Sequence, residues 1–89
     1  MGGNSVVVHN VDALDTFGAF LQSKREELET LFDILNTETV QQETNWQDPQ
    51  YEYLKDQVES YCGTCKTQLD ELDESIMYIN ALVAKLRAL

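Results

Sequence analysis

The sequence predicts an all-α fold: an antiparallel two-helix hairpin that pairs into a four-helix bundle. Three observations carry this. Two long stretches place apolar residues at alternating spacings of three and four, the signature of helices with one buried stripe. Between them, Thr44-Asn45-Trp46-Gln47-Asp48-Pro49 breaks the pattern and holds the only Trp and the only Pro of the chain. Finally, a hairpin of 89 residues buries too little surface to stand alone easily, so it needs disulfides, a metal or a second subunit. The whole chain, 1–89, reads as one domain, with helix one at about 11–42, the turn at about 43–48 and helix two at about 49–88.

The first helix opens near Asn10 to Asp12, both good N-cap residues. Its seam is Leu14, Phe17, Leu21, Leu28, Leu31 and Leu35, with Lys24 at the seam position between Leu21 and Leu28. Phe20 and Phe32 flank the seam and widen the stripe, which suits a helix with more than one neighbour.

The second helix starts at Asp48-Pro49. Asp48 caps the free N–H groups and complements the positive end of the helix dipole. Pro49 fits the first helical position, where its missing donor costs nothing. The seam then reads Tyr51, Leu54, Val58, Tyr61, Cys65, Leu69, Leu72, Ile76, Ile79, Val83 and Leu86. Two spacings of four in a row, at Tyr61, Cys65 and Leu69, make a stutter that relaxes left-handed supercoiling. If the chain folds back at Trp46, the start of helix one reaches only to about residue 75–80. Ile79, Val83 and Leu86 then need a cover, either Val6-Val7-Val8 or another chain.

The formal net charge is −10, from 16 Asp+Glu against 6 Lys+Arg. Nucleic acid is excluded as a partner, because phosphate neutralisation needs clustered Lys and Arg. Anionic membrane surfaces are disfavoured for the same reason. No stretch approaches the roughly 18 consecutive apolar residues of a membrane span. Met1 to His9 lacks the basic start and apolar core of a signal peptide. Cytoplasmic synthesis without a cleavable leader is therefore expected, with leaderless export left open.

Cys62-Gly63-Thr64-Cys65 is the one motif with a chemical reputation, as a redox dithiol or half a zinc site. It falls mid-helix with no strand before it, and i,i+3 cysteines in a regular helix meet disulfide geometry poorly. The plainer expectation makes Cys65 a small seam residue and Cys62 its flank. Lys24-Arg25 falls near the level of residues 62–68, with the charged heads expected to pair with Glu59 or Asp70. His9 is the only histidine, so no Ser/His/Asp or Cys/His grouping can be drawn. No catalytic residue, metal or cofactor is expected. Tyr53 falls off the seam and is expected to be exposed beside Trp46 as a contact patch.

The break also carries a resemblance. Two helices joined at Trp46, in a chain of this length, are similar to the WXG family of small proteins associated with bacterial type VII secretion. The resemblance covers about Val11 to Leu89. It implies that the Trp sits at the hairpin end and that two hairpins pair, as a homodimer or with a related hairpin or toxin domain as a heterodimer. It further implies a role as a secreted protein, a carrier for larger substrates, or a toxin partner. Asp48 stands where the family has Gly, which makes the chain a divergent W-x-D relative. The family's export signal is a Tyr followed four residues later by Asp or Glu. Tyr51, Tyr53, Tyr61 and Tyr78 are followed at that spacing by Lys55, Gln57, Cys65 and Leu82. Export by that route then needs a partner that carries the signal. Two other readings of the residues stand beside this one: a small thiol protein built on Cys62 and Cys65, and a generic coiled-coil adaptor.

Overall fold

The computed structural model describes residues 5–89. Two helices make up the fold, α1 (Val11–Gln41) and α2 (Pro49–Arg87), joined through a single 3-10 turn at Gln42–Thr44. No strand occurs among the described residues. The chain is therefore an all-α two-helix hairpin. Its extents are 62 × 28 × 15 Å, a plate one helix thick.

Local chemistry sets each end. Asn10 is the N-cap of α1, in extended conformation, and its side-chain oxygen accepts from the Ala13 N–H at 2.9 Å. At the far end the Asn45 and Trp46 N–H groups both donate to the Gln42 carbonyl, at 3.0 and 2.8 Å, tightening the chain into the bend. Asp48 restarts it with φ −157° and ψ 139°, and its Oδ1 accepts from the Gln50 N–H at 2.8 Å. That extended backbone is open to any residue, so the bend has no need of glycine at position 48. No described residue has a positive φ.

The inner row of α2 is Tyr51, Val58, Cys62, Leu69, Ile76 and Val83, all buried. One step of four, from Val58 to Cys62, separates runs of sevens. Opposite it, α1 turns inward Val11, Leu14, Gly18, Leu21, Arg25 and Phe32, of which only Gly18 is fully buried. Gly18 is required by close approach. A Cβ added there would lie 3.0 Å from Ile79 Cγ2 and 3.4 Å from the Asn80 side chain.

Two expectations are corrected by this packing. The expected overhang of helix two does not exist, because α1 reaches the last turn of α2. Gly18 packs on Ile79, and the Arg87 guanidinium donates to Asp12 at 2.7 Å and Asp15 at 3.0 Å. The reason is side-chain lean. Side chains tilt toward the N-terminus of their own helix. In an antiparallel pair, both tilts shift contacts toward higher-numbered partners than a level count from the bend gives. The cysteines are also exchanged. Cys62 is buried, with its thiol 3.7 Å from the Phe32 carbonyl, and Cys65 is half-buried. The step of four falls before Cys62, which turns it inward in place of Cys65.

Candidate protein-interaction face

A plate one helix thick has two broad sides, and the sequence treats them differently. On a helix, residues one step around from the inner row fall to one side or the other. One side collects the charges. Every ion pair that joins the two helices lies there, Lys66 with Asp33 at 3.1 Å, Arg25 with Asp73 at 2.8 Å, and Arg87 with Asp12 and Asp15, as does the pair of Lys55 with Glu43 of the 3-10 turn at 3.1 Å. Arg25 is the best sheltered of these cations, and it also meets Glu29 at 3.0 Å and Asp70 at 4.0 Å. Asp73 first, then Glu29, raise its pKa above the ordinary arginine value, while burial works against them. Its Nε lies 2.8 Å from Asp73 Oδ1, a charge-assisted contact whose N–H is poorly aligned. The expected partner Asp70 is thus at the edge of contact, and Asp73 takes its place. Lys24 turns away and pairs with Glu27.

The other side is apolar and uncovered. On α1 it presents Phe17, Phe20, Leu28, Leu31, Ile34 and Leu35; Phe17 is 50% and Leu31 58% exposed. On α2 it presents Leu54 and Tyr61, the latter 58% exposed, and Tyr78 near the open end. Phe17 and Phe20 stack on each other at 6.2 Å, and Tyr61 meets Phe32 edge-on at 6.1 Å. The neighbouring Cys65 thiol, with some burial, pushes the Tyr61 hydroxyl pKa up. A groove of about 840 Å³ runs along Leu35, Tyr53, Gln57, Val58 and Tyr61. A smaller hollow of about 280 Å³ at the open end is lined by Val6, Tyr78, Leu82 and Leu86. Val6, from the segment proposed as a cover for the last turns, does lie beside them.

The residues expected on the seams therefore divide. Val58, Leu69, Ile76 and Val83 are buried, and Leu14, Leu21, Leu72, Ile79 and Leu86 are half-buried. Phe17, Leu28, Leu31, Leu35, Leu54 and Tyr61 lie on the open side. Sequence reasoning missed Gly18 and set Lys24 rather than Arg25 in the seam, since no apolar count selects either inner residue. The available signal was their spacing of seven with Val11 and Phe32.

At the bend, Trp46 packs edge-on against Tyr51 at 5.6 Å. Its indole N–H donates to Asp48 Oδ2 at 3.2 Å, so one carboxylate joins the indole to the start of α2. Tyr51 is 1% exposed, and its hydroxyl donates to the Thr39 carbonyl at 2.8 Å. Pro49 holds the first position of α2. Tyr53 is exposed but lines the groove by Tyr61 rather than the hollow that Trp46 and Tyr51 share with Leu54. The tip is therefore a latch, with Trp46 only partly exposed.

Cys62 and Cys65 are both free thiols. Among the described residues, no three His, Cys, Asp or Glu side chains gather to hold a metal ion. No helix there is long and apolar enough to cross a membrane. Comparison with protein-family models, with curated proteins and with solved structures finds no match for this chain.

Proposed function

We propose that this chain is a non-enzymatic protein–protein interaction module that pairs through its apolar side into a four-helix bundle. The single observation that carries the reading is the segregation of the two sides: all helix-joining ion pairs on one, an uncovered apolar row on the other. Water-facing sides of a helical hairpin are normally polar, and contiguous exposed apolar surface marks an interface. Packing two such plates face to face closes the core of a four-helix bundle.

Within that reading, the resemblance to the WXG family supports a role as a dimeric secreted protein, an export carrier or a toxin partner. Trp46 at the hairpin end supports it from the residues themselves. The chain's own tyrosines lack the export signal, so a second hairpin would carry it. The thiol reading has less support: Cys62 is turned into the core, and Cys65 sits beside Tyr61.

Absolute mass in solution, by light scattering on a sizing column, tests the pairing. About twice 10.2 kDa with and without reductant is the expected result. A dimer only without reductant would return the role to the cysteines. Export is tested separately. Co-expression with a signal-bearing hairpin partner in a type VII host should carry the chain into the medium, and retention in the cells would remove the transport role.

A further inference from the structure

We infer that the apolar side takes a second copy of this chain, aligned by a polar waist of Lys24, Gln68 and Ser75. The inference rests on the pairing reading above and names its partner and its register.

Charge placement selects a second copy. Asp12, Asp15, Glu29, Asp33, Asp70 and Asp73 belong to the ion-paired side. Two copies meeting on their apolar sides therefore point their dense negative charge outward, away from each other. By helical position the apolar side carries Lys24 and Lys85 against Glu27, Glu38 and Glu71, and Asp56 lines its groove. That face is far less negative than the rest of the chain, which lessens the repulsion that a net charge of −10 per chain would otherwise impose. Area is ample as well. A plate 62 Å long and 28 Å wide offers more than the roughly 800 Å² per partner of a stable interface.

The apolar row is interrupted at one level. On α1, Lys24 stands between Phe17 and Leu31 in the outward row; on α2, Gln68 and Ser75 stand between Tyr61 and Leu82. All three are exposed. Lys24 is held in place, with Nζ 2.9 Å from Glu27 Oε2 and 5.6 Å from the centre of the Phe20 ring. Apolar groups lie toward both ends, so the waist divides the face into two patches.

A lysine at one position of a helical seam costs stability and fixes register. An ammonium buried against leucine loses its water and keeps only its own Glu27. Waist on waist, it meets Gln68 and the Glu27 or Glu71 carboxylate of the second copy. A slip of one heptad, about 10 Å, sets it on Phe17 or Leu31 instead. Waist on waist, Gln68 and Ser75 also face polar groups, which a slipped alignment denies them.

The test compares the wild type with Lys24→Leu and Lys24→Glu, using light scattering over a dilution series and a backbone amide NMR spectrum. The wild type should be a dimer with one set of amide signals. Lys24→Leu should dimerise at least tenfold more tightly, with multiplied amide signals or masses beyond the dimer. Lys24→Glu should dimerise at least tenfold more weakly. A Lys24→Leu dimer of unchanged affinity and one signal set would overturn the waist and leave the pairing intact. A helical wild type at 10.2 kDa at every concentration would overturn the waist and self-pairing together.

Discussion

The two broad sides of the hairpin share a backbone and differ in what they ask of a neighbour. The ion-paired side is complete. Arg25, Lys55, Lys66 and Arg87 each find a carboxylate across the helix pair, and water solvates the remainder. The apolar side holds Phe17, Leu31 and Tyr61 at half exposure or more, with Val6 laid beside its open end. A water-facing row of that kind gains free energy only when something covers it. Under the proposed pairing, contacts within the hairpin and contacts with a partner fall to separate rows of the same helices. The inner row and its ion pairs close the hairpin, and the next row around is left uncovered.

The largest effect on the inner row should come from Gly18→Leu. Its side chain meets Ile79 at once and forces α1 off α2, at a cost of about 1–3 kcal/mol. Thermal unfolding followed by circular dichroism reads it; an unchanged midpoint would mean that the close approach at Gly18 is not part of the folded hairpin.

Asp48→Ala removes the cap of α2 and the acceptor of the Trp46 indole together, and should cost about 0.5–2 kcal/mol. Because this change lies at the bend, both sides should loosen alike and the mass should stay as in the wild type. Urea unfolding with light scattering measures both.

Cys62→Ala leaves a small gap under Phe32 and should cost about 1 kcal/mol, whereas Cys65→Ala should cost less. Equal effects of the two would place both thiols in the same environment, against the burial difference.

A pH titration probes the inner row and the ion-paired side more gently. Contact with Glu43 holds the Lys55 pKa above its ordinary 10.5, and burial first, then Glu43, holds that of Tyr51 above its ordinary 10.0. Both are raised in the folded chain. Their contributions are therefore fully present below those ordinary values and lost as pH rises through the folded ones. Stability should decline above about pH 10. Tyr51→Phe should start lower, having lost the Thr39 hydrogen bond, and decline less steeply, as urea midpoints across pH 8–11.5 would record. Parallel declines for the two proteins would remove Tyr51 from the account.

Much of the fold is legible in the sequence. The apolar spacings and the Trp46–Pro49 break are local signals, and they suffice for an all-α hairpin. The division of the stripes into an inner and an outer row is not legible that way. On α1 the inner row includes Gly18 and Arg25, chosen for close approach to Ile79 and for Asp73 across the pair. Neither is apolar, so a hydrophobic count settles on the outer row of Phe17, Leu28, Leu31 and Leu35 instead. On α2 the counted stripe crosses from outer to inner at the step near Cys62, where one residue of phase decides which thiol is buried. Length matching failed for a related reason: counting residues from the bend ignores the lean that brings Arg87 to Asp12. The identity of the partner is written in no single residue. It enters only through where the carboxylates sit in three dimensions.

The most direct test of the two-sided account is a matched pair of substitutions two residues apart on α1. Leu31→Glu alters the apolar side, and Asp33→Ala removes the carboxylate that pairs with Lys66 on the other. Absolute mass is measured for both by light scattering under reductant. The account predicts a helical monomer of about 10.2 kDa for Leu31→Glu and about twice that mass for Asp33→Ala. A dimer that survives Leu31→Glu, or dissociates on Asp33→Ala, would contradict it.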